Sequence, residues 1–281
     1  MTSVLQIDPS GFQAHFARSP YAVGHTLVEH PLLQLERIAQ LADALPAAQV
    51  EHNVGKVPEL LPGGEAPRLD AAPGEIARGI HSNGCWMVLK NVESDPEYGK
   101  LLHDALDEVV PLVGDREGPM RRREAFIFLS APDSVTPAHV DPEHNFLLQV
   151  SGTKAVVVGR FEDESTRQLE LERQVSGGHR NVNAMFDDAQ EFPLGPGDGV
   201  YVPVYAPHLV RNGPEVSISF SITWRTPHTD NLERAHVANA AMRRIGLKPA
   251  SPGRRPRADA LKAGITRGVR GVKGKLDRRG G

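Results

Sequence analysis

Cysteine and long apolar runs are almost absent from this sequence, and each absence excludes a class of protein. The 281 residues include one cysteine, Cys85, so no disulfide can form within the chain and a reducing cytoplasm is the expected compartment. No apolar run reaches the roughly 18 residues of a membrane-spanning helix, and we expect no membrane partner. The first residues have neither a basic start nor an apolar core, so we expect no signal peptide.

Charge is unevenly distributed along the chain. Residues 233–281 contain 14 Lys and Arg against 3 Asp and Glu, whereas the remainder contains 18 against 32. No aromatic residue lies in the basic part from 254 onward, so a sequence-specific RNA contact that stacks bases is not expected. The main interpretation is a mobile, solvated terminus. The alternative is a non-specific electrostatic tether to nucleic acid or to an acidic partner.

The apolar pattern predicts short strands flanked by helices. Near-helical spacing predicts helices over 30–46, 95–113 and 229–248, and a loop rich in Pro and Gly lies at 53–73. Apolar runs predict strands at 86–92, 125–129, 146–150, 155–158, 199–204 and 216–224. The last of these alternates apolar residues with serine and threonine, which predicts one buried and one polar face. Short strands separated by Gly and Pro turns favour a sandwich or a barrel.

A histidine and an aspartate two residues apart, His139 and Asp141, suggest a metal site. On an extended strand, positions i and i+2 face the same side. With a third ligand from a distant strand they would form the two-histidine, one-carboxylate face of non-haem Fe(II) oxygenases. The spacing alone is a weak signal, because His228 and Asp230 repeat it. That second pair lies where a strand gives way to a helix, and Asp230 is better interpreted as a helix cap.

Two longer segments carry a family resemblance. Residues 136–154 read TPAHVDPEHNFLLQVSGTK and residues 197–208 read GDGVYVPVYAPH. Both resemble the metal-binding motifs of JmjC-type, cupin-like 2-oxoglutarate oxygenases, nearest the hypoxia-inducible-factor asparaginyl hydroxylase branch. The resemblance implies a mainly β fold with flanking helices, built on a double-stranded β-helix (a jelly-roll or cupin barrel). The expected division is N-terminal helical and mixed elements over 1–123 packed on the barrel, the barrel core over 124–228, a C-terminal helix over 229–248 and a basic flexible tail over 249–281.

The resemblance also implies roles for individual residues. His139, Asp141 and His208 match the iron ligands. Lys154 matches the lysine that pairs with the distal carboxylate of 2-oxoglutarate, and Thr136 matches the hydroxyl that hydrogen-bonds the same carboxylate. A buried cation is a sensible partner for such a dianion, because charge-assisted hydrogen bonds are the strong ones.

Two further polar residues are expected near the co-substrate, and two histidines are not. Asn145 matches a polar residue near its metal-chelating end. Where the hydroxylase branch carries an asparagine near the end of the final strand, this sequence offers Ser221, which is shorter and leaves more room. His144 and His179 have no assigned role and are expected on the surface.

The expected activity is Fe(II)- and 2-oxoglutarate-dependent hydroxylation with O2, giving succinate and CO2. A peptide or protein side chain is the favoured acceptor, and a small-molecule metabolite is the alternative, because fold and cofactor do not decide the acceptor. A cupin metalloenzyme that does not use 2-oxoglutarate is a second hypothesis, disfavoured by Lys154 and Thr136. A binding module with a degenerate barrel is a third, disfavoured by the intact ligand set. The C-terminal helix, with its apolar stripe Leu232, Ala235, Ala238, Met242 and Ile245, either packs on its own barrel or forms a homodimer contact.

Overall fold

The structure is a computed structural model that describes residues 3–62, 67–114, 116–254 and 256–277. Within these ranges the chain forms two antiparallel sheets and seven α-helices. None of the described helices combines the length and the apolar character needed to cross a membrane.

Most strands are short, and several are separated by Gly or Pro turns. They are β1 (Leu5–Gln6), β2 (Tyr21–His25), β3 (Val50–Val54), β4 (Cys85–Lys90), β5 (Arg121–Ser130), β6 (Val135–His139), β7 (His144–Ser151), β8 (Lys154–Arg160), β9 (Asp187–Leu194), β10 (Asp198–Val202), β11 (His208–Asn212) and β12 (Ser217–Arg225).

The helices lie before, between and after the strands. They are α1 (Pro9–His15), α2 (Leu35–Ala44), α3 (Pro73–Arg78), α4 (Pro96–Val113), α5 (Glu164–Val175), α6 (Pro227–Arg244) and α7 (Pro256–Asp277). Three short 3-10 turns occur at Pro31–Leu33, Ala47–Gln49 and Val92–Ser94. The predicted start of α4 is confirmed, because the Asp95 carboxylate accepts a hydrogen bond from the Glu97 backbone N–H and Pro96 occupies the first turn.

The two sheets face each other as a barrel. The larger has the strand order β1-β2-β10-β7-β12-β5-β4-β3, and the smaller has the order β6-β11-β8-β9. Leu147 and Val200 from the larger sheet pack with Val156 and Val210 from the smaller one inside the barrel. The predicted fold class, mainly β with flanking helices around a jelly-roll barrel, is confirmed.

The N-terminal third does more than pack on this barrel. Strands β1 and β2 extend the larger sheet beyond β10, while β4 and β3 extend it beyond β5. Helices α1, α2 and α4 cover its outer face in one apolar core that includes Phe12, Ile38 and Leu102. Both edges of the larger sheet are therefore formed by residues that precede the barrel in the sequence.

Strand β12 departs from the prediction of one buried and one polar face. Its apolar residues Ile218, Phe220 and Ile222 belong to the core beneath the helices. The alternating serines and Thr223 are buried as well, because β12 lies between β5 and β7 and the smaller sheet covers its other side. The polar face predicted from the alternation exists, but it faces the barrel interior rather than solvent.

The C-terminal region differs from the expectation in two respects. The side chain that caps α6 is Thr226, which accepts from the Thr229 N–H, so Asp230 is not the cap. The described part of the expected flexible tail contains α7, which contacts α6. Thr266 donates to the Arg234 carbonyl, so at this point α7 is hydrogen-bonded to α6. Residues 278–281 lie outside the described residues.

Candidate metal centre

The register of two antiparallel strands brings His139 and His208 together. His139 ends β6, His208 begins β11, and the two are directly paired across the ladder. Side chains of directly paired residues project from the same face of a sheet. The two imidazole centroids are 4.1 Å apart, although the residues are far apart in the sequence.

Asp141 reaches the same point from just beyond β6 rather than from within it. The strand ends at His139, and the Asp141 backbone carbonyl accepts from the Tyr205 N–H at 2.8 Å. Tyr205 has a positive φ of 60°, so the turn that precedes β11 holds the end of the motif. The carboxylate Oδ2 lies 3.5 Å from His139 Nε2 and 3.6 Å from His208 Nε2. The three donor groups therefore converge, with all ligand atoms within 4.8 Å of one another.

Backbone carbonyls fix which nitrogen of each imidazole is available. His139 Nδ1 lies 2.8 Å from the Pro137 carbonyl, and His208 Nδ1 lies 3.0 Å from the Ala206 carbonyl. A carbonyl only accepts, so each Nδ1 carries a hydrogen, and each Nε2 is the nitrogen that faces the Asp141 carboxylate. This arrangement orients histidine ligands toward a metal ion.

The environment of the cluster favours the protonation states in which Asp141 and His208 can bind a metal ion. Burial alone would raise the pKa of Asp141, but the neighbouring His139, Arg180 and His208 hold it well below its usual range. Burial lowers the pKa of His208 to about 4, and His139 beside it acts in the same direction. At neutral pH the group is thus a carboxylate with a neutral His208, which are the forms that bind a divalent metal.

A cavity inside the barrel joins these residues to most of the other predicted site residues. Its lining comes from both sheets: Phe128, Ser130, Thr136, His139, Asp141, Asn145, Leu147, Lys154, Val202, His208 and Val210. Six of the seven predicted site residues therefore line this single cavity. The seventh, Ser221, donates to Asn145 Oδ1 at 2.7 Å, and so contacts the site through Asn145.

Lys154 is a buried cation without a counter-ion. It begins β8, is 6% exposed, and lies in the same cavity as the triad. No described residue forms a hydrogen bond or an ion pair with its ammonium. Burial lowers its pKa to about 7, because no neighbouring anion offsets the loss of hydration.

Sequence reasoning missed or misplaced several residues around the centre. Arg180 Nη1 lies 3.7 Å from Asp141 Oδ1, and no motif marked it. His144, expected on the surface, is fully buried, because it contacts both Tyr201 Oη at 2.7 Å and Glu117 Oε2 at 2.8 Å. These partners are far from it in the sequence, so no local signal could have identified them. His179 is half-buried.

The second histidine–aspartate pair is a structural feature. Asp230 lies in the first turn of α6 and contacts Arg225 Nε at 3.6 Å and Arg122 Nη1 at 3.9 Å. Within the part of the chain that the structure describes, the sole cluster able to hold a metal ion is that of His139, Asp141 and His208. The expectation that Asp230 caps the helix is wrong, because Thr226 does so, and Asp230 instead forms ion pairs.

Comparisons with known proteins agree with this architecture. Residues 120–232 match the family model described as JmjC domain. No curated protein matches the chain. Among solved structures, YcfD, a ribosomal oxygenase from Escherichia coli, is similar with 18% identity and a TM-score of 0.55, covering 91% of this chain and 61% of YcfD.

Two further structures of the same Escherichia coli protein are similar. One YcfD structure has 17% identity and a TM-score of 0.58, with 95% of this chain and 68% of YcfD covered. Another, of YcfD in complex with cobalt and 2-oxoglutarate, has 18% identity and a TM-score of 0.55, with 90% and 62% covered. The chain thus spans about three fifths of the first of these relatives. The likeness shows a shared fold, and the nearer relation to the asparaginyl hydroxylase branch stays a prediction.

Proposed function

We propose that this JmjC-domain protein is an Fe(II)- and 2-oxoglutarate-dependent oxygenase that hydroxylates a protein or peptide side chain. One observation carries the proposal. A convergent His139, Asp141 and His208 triad shares a buried cavity with Lys154, an ammonium that has no partner among the described residues. The triad supplies metal donors, and Lys154 supplies the charge that a dianionic co-substrate requires.

The residues at the triad fit a divalent iron. Two imidazole Nε2 atoms and one carboxylate form the donor set typical of non-haem Fe(II) oxygenases, which leaves coordination positions for a co-substrate and oxygen. Iron would supply the redox chemistry with O2 when bound, while the protein holds and orients the reactants. Arg180, which lies beside the second carboxylate oxygen of Asp141, would keep that side chain ionised and oriented.

The other residues of the cavity fit 2-oxoglutarate. Lys154 would pair with its distal carboxylate, and the Thr136 hydroxyl, which lines the same space, would donate to that group. Asn145, which accepts from Ser221, keeps its amide N–H2 as a donor for the end of 2-oxoglutarate that faces the metal. A YcfD structure that holds cobalt and 2-oxoglutarate supports this pairing of cofactors.

The proposed reaction balances as one substrate oxidation coupled to one decarboxylation. 2-Oxoglutarate and O2 give succinate and CO2, one oxygen atom enters succinate, and the other enters the acceptor C–H bond to form an alcohol. YcfD is a ribosomal oxygenase, which supports a protein acceptor. A small-molecule acceptor is the alternative, and coupled succinate formation alone does not separate the two.

A cupin metalloenzyme that does not use 2-oxoglutarate is the second candidate. It would bind metal through the same triad but leave Lys154 unused. An unpaired buried ammonium is costly, and its position in the triad's cavity favours a co-substrate partner. The first candidate therefore explains one more residue than the second.

The proposed location and assembly rest on features outside the metal centre. The single cysteine, Cys85, is buried and reduced, and we infer a cytoplasmic protein. Exposed apolar residues on α7, Leu261 and Ile265, together with Ile245 beyond α6, support a homodimer contact in this region. The basic C-terminal residues would then act as a solvated terminus, or else as a weak tether to an acidic partner.

Turnover without an acceptor tests the proposed function. Purified protein with Fe(II), ascorbate and 2-oxoglutarate should form succinate slowly, and His208→Ala should abolish this. Mn(II) should bind competitively at about one ion per chain. Absence of metal binding by the wild-type protein, or full turnover by His208→Ala, would show that the triad is not the metal site.

A further inference from the structure

A second and larger cavity lies beside the proposed co-substrate site. Its volume is about 410 Å³, and its walls come from β3, β4, β6, the segment 179–181 and three residues that follow β3, which are Val57, Leu61 and Arg68. Thr136 lines both cavities, and Arg180, which lines the larger one, contacts Asp141. A group held there would lie next to the metal centre without occupying the 2-oxoglutarate site.

Strand alternation decides which side chains of β3 and β4 face the cavity, and each of these side chains carries a polar group. Cys85, Met87 and Leu89 of β4 point into the helical core, so Trp86 and Lys90 face the opposite side and line the cavity. By the same alternation, Glu51 and Asn53 of β3 face the cavity. The N-terminal third of the chain therefore builds a chemically specific wall beside the barrel.

The cavity's carboxylate is already neutralised. Glu51 forms an ion pair with Lys90 and accepts from Asn53 Nδ2 at 3.2 Å. Burial would raise the pKa of Glu51, but the Lys90 ammonium lowers it below its ordinary value, so the pair is ionised. Among the described lining residues Glu51 is the sole acid, which leaves no free carboxylate for a cationic guest.

Hydrogen-bond donors in the cavity, by contrast, are available. Trp86 is 8% exposed, and its buried Nε1 donates to no described atom. Arg68, an exposed residue of the cavity wall, forms no ion pair with a described residue, and among the described residues Arg180 has a single ion-pair contact, at 3.7 Å with Asp141. His179 Nδ1 accepts from the Asn181 N–H, so the hydrogen of its neutral ring lies on Nε2 as a further donor.

We propose that this cavity is the acceptor site and that the group it recognises is a carboxylate, as on an aspartate or glutamate side chain. The proposal rests on the proposed function. In the loaded centre, the charges of Fe(II) and Lys154 balance those of Asp141 and 2-oxoglutarate, and Glu51 is paired with Lys90, so the exposed guanidinium of Arg68 at the cavity wall is available to an incoming anion. A carboxylate would satisfy Arg68 and the orphaned indole N–H together, and charge-assisted pairs of this kind are strong.

Paramagnetic relaxation tests the site without requiring turnover. The protein is loaded with Mn(II) and 2-oxoglutarate, whose binding is first established by water relaxation and calorimetry. The N-acetyl N-methylamides of Asp, Glu, Asn, Gln, Lys and Arg are then added separately, and Mn(II)-dependent relaxation of their protons is measured. Free aspartate and glutamate form a second arm, which distinguishes a metabolite from a peptide side chain.

We expect the acidic capped residues to show the largest Mn(II)-dependent relaxation. Arg68→Gln should weaken their binding about 10-fold or more, through loss of a charged hydrogen-bond donor, and Trp86→Phe about 2- to 10-fold. Arg244→Gln, on the exposed end of α6, removes the same charge and should change nothing. The 2-oxoglutarate affinity of each variant is measured in parallel, so that damage to the co-substrate site is visible.

The outcomes separate the two proposals. Preference for the lysine or arginine probes, equal relaxation of all probes, or no relaxation of any probe in a protein that binds Mn(II) and 2-oxoglutarate would overturn the carboxylate site. Failure to bind Mn(II) or 2-oxoglutarate would overturn the proposed function before any probe is added. Stronger relaxation of free aspartate or glutamate than of the capped forms would support the carboxylate site and assign it to a metabolite.

Discussion

Replacing Lys154 with methionine should make the metal-free protein more stable and weaken its binding of 2-oxoglutarate. Methionine has nearly the same length and is apolar, so it fills the space without a charge. Burial lowers the Lys154 pKa from 10.5 to about 7. At about 1.36 kcal/mol per tenfold change in proton affinity, this burial costs on the order of 4 kcal/mol of the free energy of unfolding near neutral pH.

The stability effect has a definite sign and pH window. Since the folded-state pKa lies below the unfolded one, the unfolded chain binds more protons between pH 7 and 10.5, and the stability of the wild-type protein rises with pH there. Below about pH 7 the full cost applies. Lys154→Met should therefore raise the free energy of unfolding of the metal-free protein by about 1 to 4 kcal/mol at pH 7. The advantage should shrink as the pH approaches 10.

The binding effect runs the other way. Losing one partner of a buried charge pair should raise the Kd for 2-oxoglutarate by roughly 10- to 1000-fold, while Mn(II) affinity remains. Above pH 7, binding of 2-oxoglutarate to the wild-type protein should be accompanied by proton uptake, because the bound anion requires Lys154 to be protonated. Binding to Lys154→Met should show no such proton uptake.

Urea unfolding of the metal-free protein and calorimetry with Mn(II) measure these two effects. Lys100→Met, on the exposed side of α4, is the matched control and should change stability by less than about 0.5 kcal/mol. A destabilised Lys154→Met that binds 2-oxoglutarate normally would refute the reasoning and make Lys154 a structural residue.

Three other predictions concern the ligands, the co-substrate and the assembly. Asp141→Ala should lower Mn(II) affinity at least about 100-fold, since the site loses its only anionic ligand; electron paramagnetic resonance measures this, and unchanged affinity would disprove the assignment. Ser221→Ala should weaken 2-oxoglutarate binding about 2- to 10-fold, because Asn145 loses the hydroxyl that orients it; calorimetry with Mn(II) is the measurement, and equal affinity would make the contact incidental. Leu261→Glu should convert a homodimer to a monomer in light scattering, whereas a monomeric wild-type protein would contradict the dimer.

The metal motif was predictable because most of its information is local. His139 and Asp141 are two residues apart and precede a strand pair, and the longer resemblance identified His208. The geometric reason for the first pair was only half right. Asp141 lies beyond the end of β6, and a hydrogen bond from Tyr205 holds it. Strand periodicity brought the carboxylate to the correct side, but a distant turn fixes its place.

Residues that interact across long sequence distances were not predictable. His144 was expected on the surface because no role was assigned to it. It is buried between rings and paired with Glu117 and Tyr201, partners that only the tertiary fold brings near. The same limit applies to α7, whose Gly and basic residues suggested a flexible tail, since its contacts with α6 supply what local propensity does not.

The N-terminal third is the region where sequence reasoning has the least power. Its strands β1, β2 and β3 have two to five residues each, too short to produce a clear alternation. Yet β3 and β4 contribute Glu51, Trp86 and Lys90 to the cavity beside the metal centre. If the cavity is the acceptor site, the barrel motif would hold the metal and co-substrate, whereas β3 and β4 would select the group that is presented for oxidation. Proteins that share the motif residues 136–154 but differ at Trp86 or Arg68 should therefore share cofactors and differ in acceptor.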